Sequence, residues 1–195
     1  GEDVRMSQHP IIRSDLACYK SSNTAINLAK KHDALLHVLH LTTAKEMQLF
    51  SNKHRSEKRI TAEVCVHHLW FDEDDYALHG TNIKCNPAIK SSKDRMALIE
   101  ALRSGKIDVI ATDHAPHSQG DKLNTFEDAP AGINGAELAL STMLTLVNNE
   151  ELSIQEVIKF MSNAPGELLN KIMNLKVGKI KKGYDCLLYT SDAAE

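Results

Sequence analysis

The stretch IDVIATDHAPHS, residues 107–118, joins a run of apolar residues directly to a carboxylate and two imidazoles. Residues 107–112 have the length and apolarity of a buried strand. Asp113, His114 and His117 follow at once, and Pro116 restricts the backbone between the two histidines. Polar side chains at the end of a buried strand are typical of a functional site at the carboxyl edge of a parallel sheet.

The sequence on either side of this stretch alternates between strand and helix patterns. Short apolar or alternating runs predict strands over 34–41, 60–67, 82–86 and 107–112. Helical spacing, with serine caps at Ser14 and Ser91, predicts helices over 14–31, 42–53 and 91–105, and further amphipathic helices over 136–150 and 153–173. The polar segment 118–135 is expected to be a surface loop. This alternation indicates βαβ units and a parallel sheet in an α/β fold.

Composition excludes several other classes of protein. The chain has 195 residues, 42% of them hydrophobic, and a net charge of −3, as expected for one globular domain or a piece of one. No apolar run approaches the roughly 20 residues of a membrane span, and the scattered charge argues against binding nucleic acid. The four cysteines have no disulfide or zinc-finger spacing, which indicates the reducing cytoplasm.

Histidines at the predicted strand ends suggest a shared site. His40, His67, Asn86 and Asp113 are each expected at the end of a strand, where their side chains would face one pocket. Imidazole and carboxylate together suit Zn²⁺. Residue types alone leave a second interpretation equally open, in which Asp113 caps the following turn and the nearby histidines bond to the backbone.

Five blocks of sequence, in order, carry a resemblance to a known family. They are SQHPIIRSDLACYKSS (7–22), HVLHLTTAKE (37–46), ITAEVCVHHLWFDEDDY (60–76), IKCNPAIKSSKDR (83–95) and DVIATDHAPH (108–117). Together they closely resemble dihydroorotases of the bacterial class, in the cyclic amidohydrolase superfamily. The resemblance is dense to about Ala136 and looser to Asp185.

The resemblance implies the fold and its boundaries. Residues 1–185 would form the C-terminal half of a (β/α)8 TIM-like, metal-dependent amidohydrolase barrel with C-terminal helices, truncated before the strands of a small β-domain. Because the chain opens GEDVRMSQHP, without an initiator Met, we expect a fragment of a longer protein. The final stretch CLLYTSDAAE, residues 186–195, is interpreted as a non-native tail resembling translated adapter sequence.

The resemblance also assigns metal-binding roles. His40, which precedes Leu41-Thr42-Thr43, matches the family's zinc-binding histidine. Asp113 matches the aspartate that binds the other zinc and acts as general base and acid. A complete site would hold two Zn²⁺, with its remaining ligands in the N-terminal half, so this chain alone is expected to be inactive. The family uses the His67-His68 pair structurally, which keeps both residues out of this metal site.

Four further residues match substrate-binding positions of the family. These are Asn86, His117, Ala131 and Gly132. The implied reaction is the reversible, zinc-dependent cyclisation of N-carbamoyl-L-aspartate to L-dihydroorotate in de novo pyrimidine biosynthesis. The implied partner is this small-molecule substrate, without nucleic acid or membrane, and a homodimer or an association with aspartate transcarbamoylase fits the family.

Two alternative functions remain open from the sequence. A hydantoinase or allantoinase would share the barrel and the metals but bind a neutral ring. His117 and Asn86 favour dihydroorotase over these enzymes. A catalytically dead homologue could instead act as a structural partner of aspartate transcarbamoylase, although the retained His40 and Asp113 speak against it.

Overall fold

The computed structural model of this protein describes residues 4–185 and contains a three-stranded parallel sheet. Its strands are β1 (Leu36–Val38), β2 (Ile60–Cys65) and β3 (Val109–Ala111), in the order β1-β2-β3. Leu36 pairs with Ile60, and Glu63 pairs with Val109. Three of the predicted strands are therefore confirmed as parallel neighbours, with narrower bounds.

Helices surround the sheet on the described part of the chain. The α-helices are α1 (His9–Ile12), α2 (Asp15–Lys31), α3 (Val66–Trp70), α4 (Tyr76–His79), α5 (Ser92–Arg103), α6 (Gln119–Lys122), α7 (Ala139–Asn148), α8 (Ile154–Ile158) and α9 (Ala164–Met173). Shorter 3-10 turns span Met6–Gln8, Ala44–Leu49, Arg55–Glu57, Glu73–Asp75 and Gly80–Ile83, and a π-helix spans Lys159–Asn163. Across residues 4–185, none of these helices combines the length and apolarity needed to cross a membrane.

The two long helices of the first half begin at the predicted serine caps. Ser14 Oγ accepts a hydrogen bond from the backbone N–H of Ala17, and Ser91 Oγ accepts one from that of Asp94, both at 3.2 Å. Each bond satisfies a helix N–H that has no partner inside the helix. Gly105 lies just beyond α5 with a φ of +78°, a conformation that glycine adopts at low cost. The predictions of helices over 14–31 and 91–105 are confirmed.

The hydrophobic core lies against β2, the central strand. Ala62 and Val64 of β2 are completely buried, and they belong to one cluster with Leu102 of α5 and Met143 of α7. Phe160 of the π-helix completes this packing from the C-terminal side. Burial of this central strand between helices is the environment that its apolar sequence predicts.

Two predicted elements are wrong. Residues 82–86 do not form a strand: the 3-10 turn Gly80–Ile83 leads into an irregular segment with a cis Asn86–Pro87 bond. Side chains bind the carbonyls of this segment in place of a neighbouring strand, since Lys122 Nζ donates to Lys84 O and His9 Nε2 donates to Cys85 O. The helix predicted over 42–53 is a short 3-10 turn, Ala44–Leu49, capped by Thr43.

Two boundary predictions also need correction. Strand β2 ends at Cys65, so His67 lies within α3 and not at a strand end. Segment 118–135 is largely loop, as predicted, but it contains the short helix α6. The non-native tail proposed for residues 186–195 lies outside the described residues.

A buried ion pair joins β2 to β3 at their amino-terminal ends. Lys58 Nζ lies 2.9 Å from Asp108 Oδ1, and both side chains are 2% exposed. Asp108 Oδ2 also accepts a hydrogen bond from the backbone N–H of Ala62 at 3.0 Å, and Lys58 donates to the carbonyl of Gly105 at 2.6 Å. The pair is fully hydrogen-bonded, so removing either partner leaves a buried charge or donor without compensation.

We expect Asp108→Ala to lower the free energy of unfolding by about 3–5 kcal/mol, because it leaves the Lys58 ammonium buried without its carboxylate. Urea unfolding followed by circular dichroism measures the change. Lys45→Ala is the matched control, since the Lys45–Asp15 pair is about half exposed and such pairs contribute about 0–1 kcal/mol. Equal effects of the two substitutions would contradict this account of the ion pair.

Candidate active site

His40 and Asp113 occupy equivalent positions at the carboxyl edge of the sheet. His40 follows the last residue of β1 by two positions, and Asp113 follows the last residue of β3 by two. Both adopt a left-handed backbone, with φ of 41° and 45° respectively. Non-glycine residues rarely adopt this conformation, and such strain concentrates at functional sites. Since β2 separates β1 from β3, the two strands that lead to these residues lie about 10 Å apart, at two strand spacings.

Glu63 of β2 forms hydrogen bonds to residues on the His40 side of the site. Its Oε2 lies 3.0 Å from His37 Nε2, while His37 Nδ1 lies 2.8 Å from Thr61 Oγ1. Its Oε1 accepts a hydrogen bond of 3.4 Å from the backbone N–H of His40. His37 therefore bonds to side chains of the neighbouring strand. Sequence reasoning missed Glu63, although a charged residue within an otherwise uncharged strand was an available signal.

Three of the four predicted substrate-binding residues, His117, Ala131 and Gly132, lie together. His117 Nε2 donates to the carbonyl of Ala131 at 3.3 Å. Gly132 has a φ of 152°, and a Cβ at this position would lie 2.6 Å from the carbonyl oxygen of Ala115 and 2.9 Å from His117 Nε2. Only glycine fits against the imidazole here, so the close approach of His117 to this backbone depends on Gly132.

Two buried lysines fix the backbone around Gly132. Lys122 Nζ donates to the carbonyls of Lys84, Pro130 and Gly132, all at 2.9–3.0 Å. Lys84 Nζ donates to the carbonyls of Ala129 and Phe126. Gly132 in turn donates its N–H to the carbonyl of Lys84 at 2.9 Å. These bonds tie the Gly132 loop to the segment that carries Asn86. The sequence analysis missed both lysines, because nothing in their spacing indicates burial.

Asn86 reaches the same cavity as His40. Both residues line one open cavity of about 510 Å³, together with Arg13, Cys18 and Pro87. The Asn86 side chain is exposed and so can reach a ligand in this cavity. The structure thus brings Asn86 to the His40 side of the sheet edge, although it reaches there from an irregular segment and not from a strand.

The bonds of His114 bear on the second interpretation of the motif, in which Asp113 caps the following turn and the nearby histidines bond to the backbone. His114 Nδ1 accepts a hydrogen bond from the backbone N–H of Ala136 at 3.0 Å, and the residue pairs with Ile133 as an isolated parallel bridge. Backbone bonding, which that alternative expected for the histidines after Asp113, therefore holds for His114, and also for His117, whose Nε2 donates to the carbonyl of Ala131. Asp113 itself is exposed and available to a ligand.

The carboxyl end of β2 lies between His40 and Asp113 and is electrostatically coupled to both. Burial and, to a smaller extent, the neighbouring His40 imidazole lower the pKa of His67 to about 4. Burial raises the pKa of the Cys65 thiol, and the carboxylates of Glu63 and Asp113 raise it further. Because β1 and β3 flank β2, His40 and Asp113 follow strands on opposite sides of it.

The model of the amidohydrolase family matches residues 15–189, so the chain belongs to the amidohydrolase family. Dihydroorotase of Carboxydothermus hydrogenoformans is 37% identical over 175 residues, which are 89% of this chain and 39% of that protein. The fold resembles L-hydantoinase (dihydropyrimidinase) of Arthrobacter aurescens, with a TM-score of 0.76, 26% identity and coverage of 86% of this chain and 38% of that one.

A second solved structure is similar in fold alone. Dihydroorotase of Saccharomyces cerevisiae, in complex with 5-fluoroorotic acid, has a TM-score of 0.65 and 21% identity, over 74% of this chain and 41% of that one. The chain spans about two fifths of the length of the curated relative and of both solved structures.

Proposed function

We propose that this chain is the second half of the catalytic barrel of a dihydroorotase. The observation that carries the proposal is the arrangement at the carboxyl edge of the sheet. His40 and Asp113 follow outer strands at equivalent positions, and the contact between His117 and Ala131 lies on the loop that follows. In α/β barrels this edge carries the active site.

The open edge of β1 supports a half barrel. In the described residues β1 pairs with β2 alone, and Leu35 and Leu39 on either side of β1 are 57% and 53% exposed. Apolar side chains beside an unpaired edge strand indicate that further chain covers them. Strands of the N-terminal half of a (β/α)8 barrel would occupy this position.

His40 and Asp113 are suitable ligands for the zinc ions of this family. Neutral imidazole nitrogen and carboxylate oxygen both bind Zn²⁺, and both side chains lie at the open edge of the sheet and not in the core. We assign one zinc ion to His40 and the other to Asp113, with the remaining ligands supplied by the N-terminal half. When bound, zinc supplies a Lewis acid that polarises the ring amide and lowers the pKa of water.

Asp113 is the group that moves the proton. In ring opening of L-dihydroorotate, Asp113 takes the proton of the attacking water and delivers it to the ring nitrogen as the carbon–nitrogen bond breaks. Ring closure of N-carbamoyl-L-aspartate reverses these transfers. The exposed position of Asp113 lets one carboxylate reach both the attacking and the leaving atom.

The remaining assigned residues orient an anionic substrate. We assign the substrate carboxylate to the His117 imidazole and the backbone of Ala131, which lie in contact. Gly132, whose N–H already bonds to the carbonyl of Lys84, supplies the space that this close approach requires. Asn86 contributes amide donors from the cavity that it shares with His40. Binding at several points fixes the ring carbonyl near Asp113.

The specific substrate is tested by comparing three ring amides. The full-length protein, with its upstream sequence restored, is assayed with L-dihydroorotate, hydantoin and allantoin. We expect kcat/KM for dihydroorotate to exceed the other two by at least about 100-fold, because a site built to bind a carboxylate discriminates against rings without one. Faster turnover of hydantoin or allantoin would contradict this assignment. A full-length protein that turns over none of the three would instead support the catalytically inactive partner of aspartate transcarbamoylase.

A further inference from the structure

Lys122 and Lys84 are buried beside the proposed substrate-binding loop without a carboxylate partner. They are 7% and 9% exposed, and among residues 4–185 neither ammonium group forms an ion pair. In contrast, the buried ammonium group of Lys58, at the other end of the sheet, pairs with Asp108. Burying a charge is costly unless an opposite charge compensates it, so these two cations require an explanation.

Neutral groups of the protein compensate the two charges only in part. The two ammonium groups donate to five backbone carbonyls, and Lys84 Nζ also lies 4.6 Å from the centre of the Phe126 ring. Burial and, to a smaller extent, the Lys84 ammonium group lower the pKa of Lys122 to about 8. Lys122 is therefore still mainly protonated at pH 7, and both lysines bring positive charge to the loop.

The bond from Lys122 to the Pro130 carbonyl fixes the direction of the next N–H group. Lys122 Nζ lies 3.0 Å from this oxygen, and the C=O and N–H of a planar trans peptide point in opposite directions. The N–H of Ala131 therefore points away from Lys122. Within residues 4–185 this N–H has no hydrogen-bond acceptor, whereas the N–H of Gly132 donates to the carbonyl of Lys84. Ala131 thus offers an unused donor beside His117, whose Nε2 contacts its carbonyl.

We propose that Lys122, together with Lys84, makes this site selective for rings that carry a carboxylate. Lys122 directs the Ala131 N–H toward the ligand, and both ammonium groups place positive charge behind the loop. A carboxylate at Ala131 and His117 supplies the negative charge that the lysines lack, whereas a neutral ring supplies none. The inference rests on the proposed function, since it takes the bound ring to be an anion. Lys122 acts through the backbone and is therefore a positioning residue.

The test measures how much a carboxylate adds to the affinity of a ring for the full-length protein. Orotate and uracil differ only in one carboxylate, and titration calorimetry gives the dissociation constant of each. We expect the unmodified protein to bind orotate at least about 100-fold more tightly than uracil. Lys122→Met removes the charge but keeps an apolar side chain. It should reduce this preference by about 10-fold or more, by weakening the binding of orotate alone.

Lys58→Met is the matched control, because it also removes a buried ammonium group but at the other end of the sheet. It should weaken the fold and leave the ratio of the two affinities within about twofold. Steady-state kinetics separate positioning from folding. Lys122→Met should raise KM for dihydroorotate by about 10-fold or more with kcat within about threefold, whereas a partly unfolded protein would lose kcat at constant KM. Its zinc content should equal that of the unmodified protein.

If Lys122→Met does not fold, the crystal structure of the unmodified protein with orotate decides the question. A carboxylate oxygen should lie about 2.7–3.2 Å from the Ala131 nitrogen, as in a hydrogen bond. A carboxylate bound elsewhere would overturn the proposal. So would an unchanged ratio of affinities in Lys122→Met, or an equal change in Lys58→Met.

The binding measurements do not depend on turnover, so this proposal and the proposed function can fail separately. A protein that shows the expected affinities but does not hydrolyse dihydroorotate would support the role of Lys122 and contradict the proposed function. A protein that hydrolyses dihydroorotate, but keeps its full preference for orotate in Lys122→Met, would overturn the role of Lys122 alone.

Discussion

Asp113→Asn in the full-length protein should reduce kcat for dihydroorotate by at least about 10²–10⁴-fold, the usual contribution of a general acid–base group. An amide retains the shape of the side chain but cannot accept and return a proton. Asparagine also tolerates the left-handed backbone observed at this position, with its φ of 45°, so the substitution should not disturb the fold. Steady-state rates measured in both directions of the reaction provide the test.

The control for this substitution is Asp128→Asn. Asp128 is an exposed carboxylate on the same loop as the proposed substrate-binding residues Ala131 and Gly132, where it accepts a hydrogen bond from Thr125. We expect its loss to leave kcat within about twofold, as for most surface substitutions that change stability by less than about 0.5 kcal/mol. A fully active Asp113→Asn protein would show that another residue transfers the proton.

Zinc content should separate the role of His40 from that of His117. His40→Asn removes a metal ligand at a position where asparagine tolerates the φ of 41°, so we expect loss of about one zinc ion per chain and partial recovery of activity with added metal. His117→Ala should retain its zinc and raise KM for dihydroorotate by about 10-fold or more, as expected for one lost hydrogen bond to a charged group. Atomic absorption and steady-state kinetics measure the two effects.

His114→Asn serves as the control for both substitutions. Its imidazole neighbours Asp113 in sequence but bonds to the backbone of Ala136, so neither zinc content nor KM should change greatly. If His117→Ala lost zinc while His40→Asn kept it, the assigned roles would be reversed, even though membership of the family would stand.

Local sequence patterns predicted much of the fold because the decisive interactions are local. The Ser14 and Ser91 caps each bond to a backbone N–H three residues away, so the helix starts can be read from neighbouring residues. The buried strands β2 and β3 were also recognisable from their apolar runs. Segment 82–86 was mistaken for a strand because its carbonyls bond to side chains distant in sequence, including Lys122 and His9. A pattern of neighbouring residues cannot predict hydrogen-bond partners that lie so far away in the sequence.

The site was predictable only in part for the same reason. The motif after β3 indicated Asp113 and His117, and the structure brings His117 close to Ala131 and Gly132, while their substrate-binding roles stay a prediction. Glu63 and Lys122 act through bonds to residues that are far away in sequence or on another strand. Their importance depends on the folded arrangement, because the same residue types on an exposed face would be ordinary surface charges.

The most direct test of the central claim is anomalous scattering at the zinc edge from crystals of the full-length protein. We expect a pair of peaks about 3.5–4 Å apart, one within about 2.0–2.2 Å of a His40 ring nitrogen and the other at the same distance from an Asp113 carboxylate oxygen. The absence of zinc at either residue would contradict the claim. So would His40 and Asp113 side chains more than about 10 Å apart, which is too far for both to belong to one two-metal site.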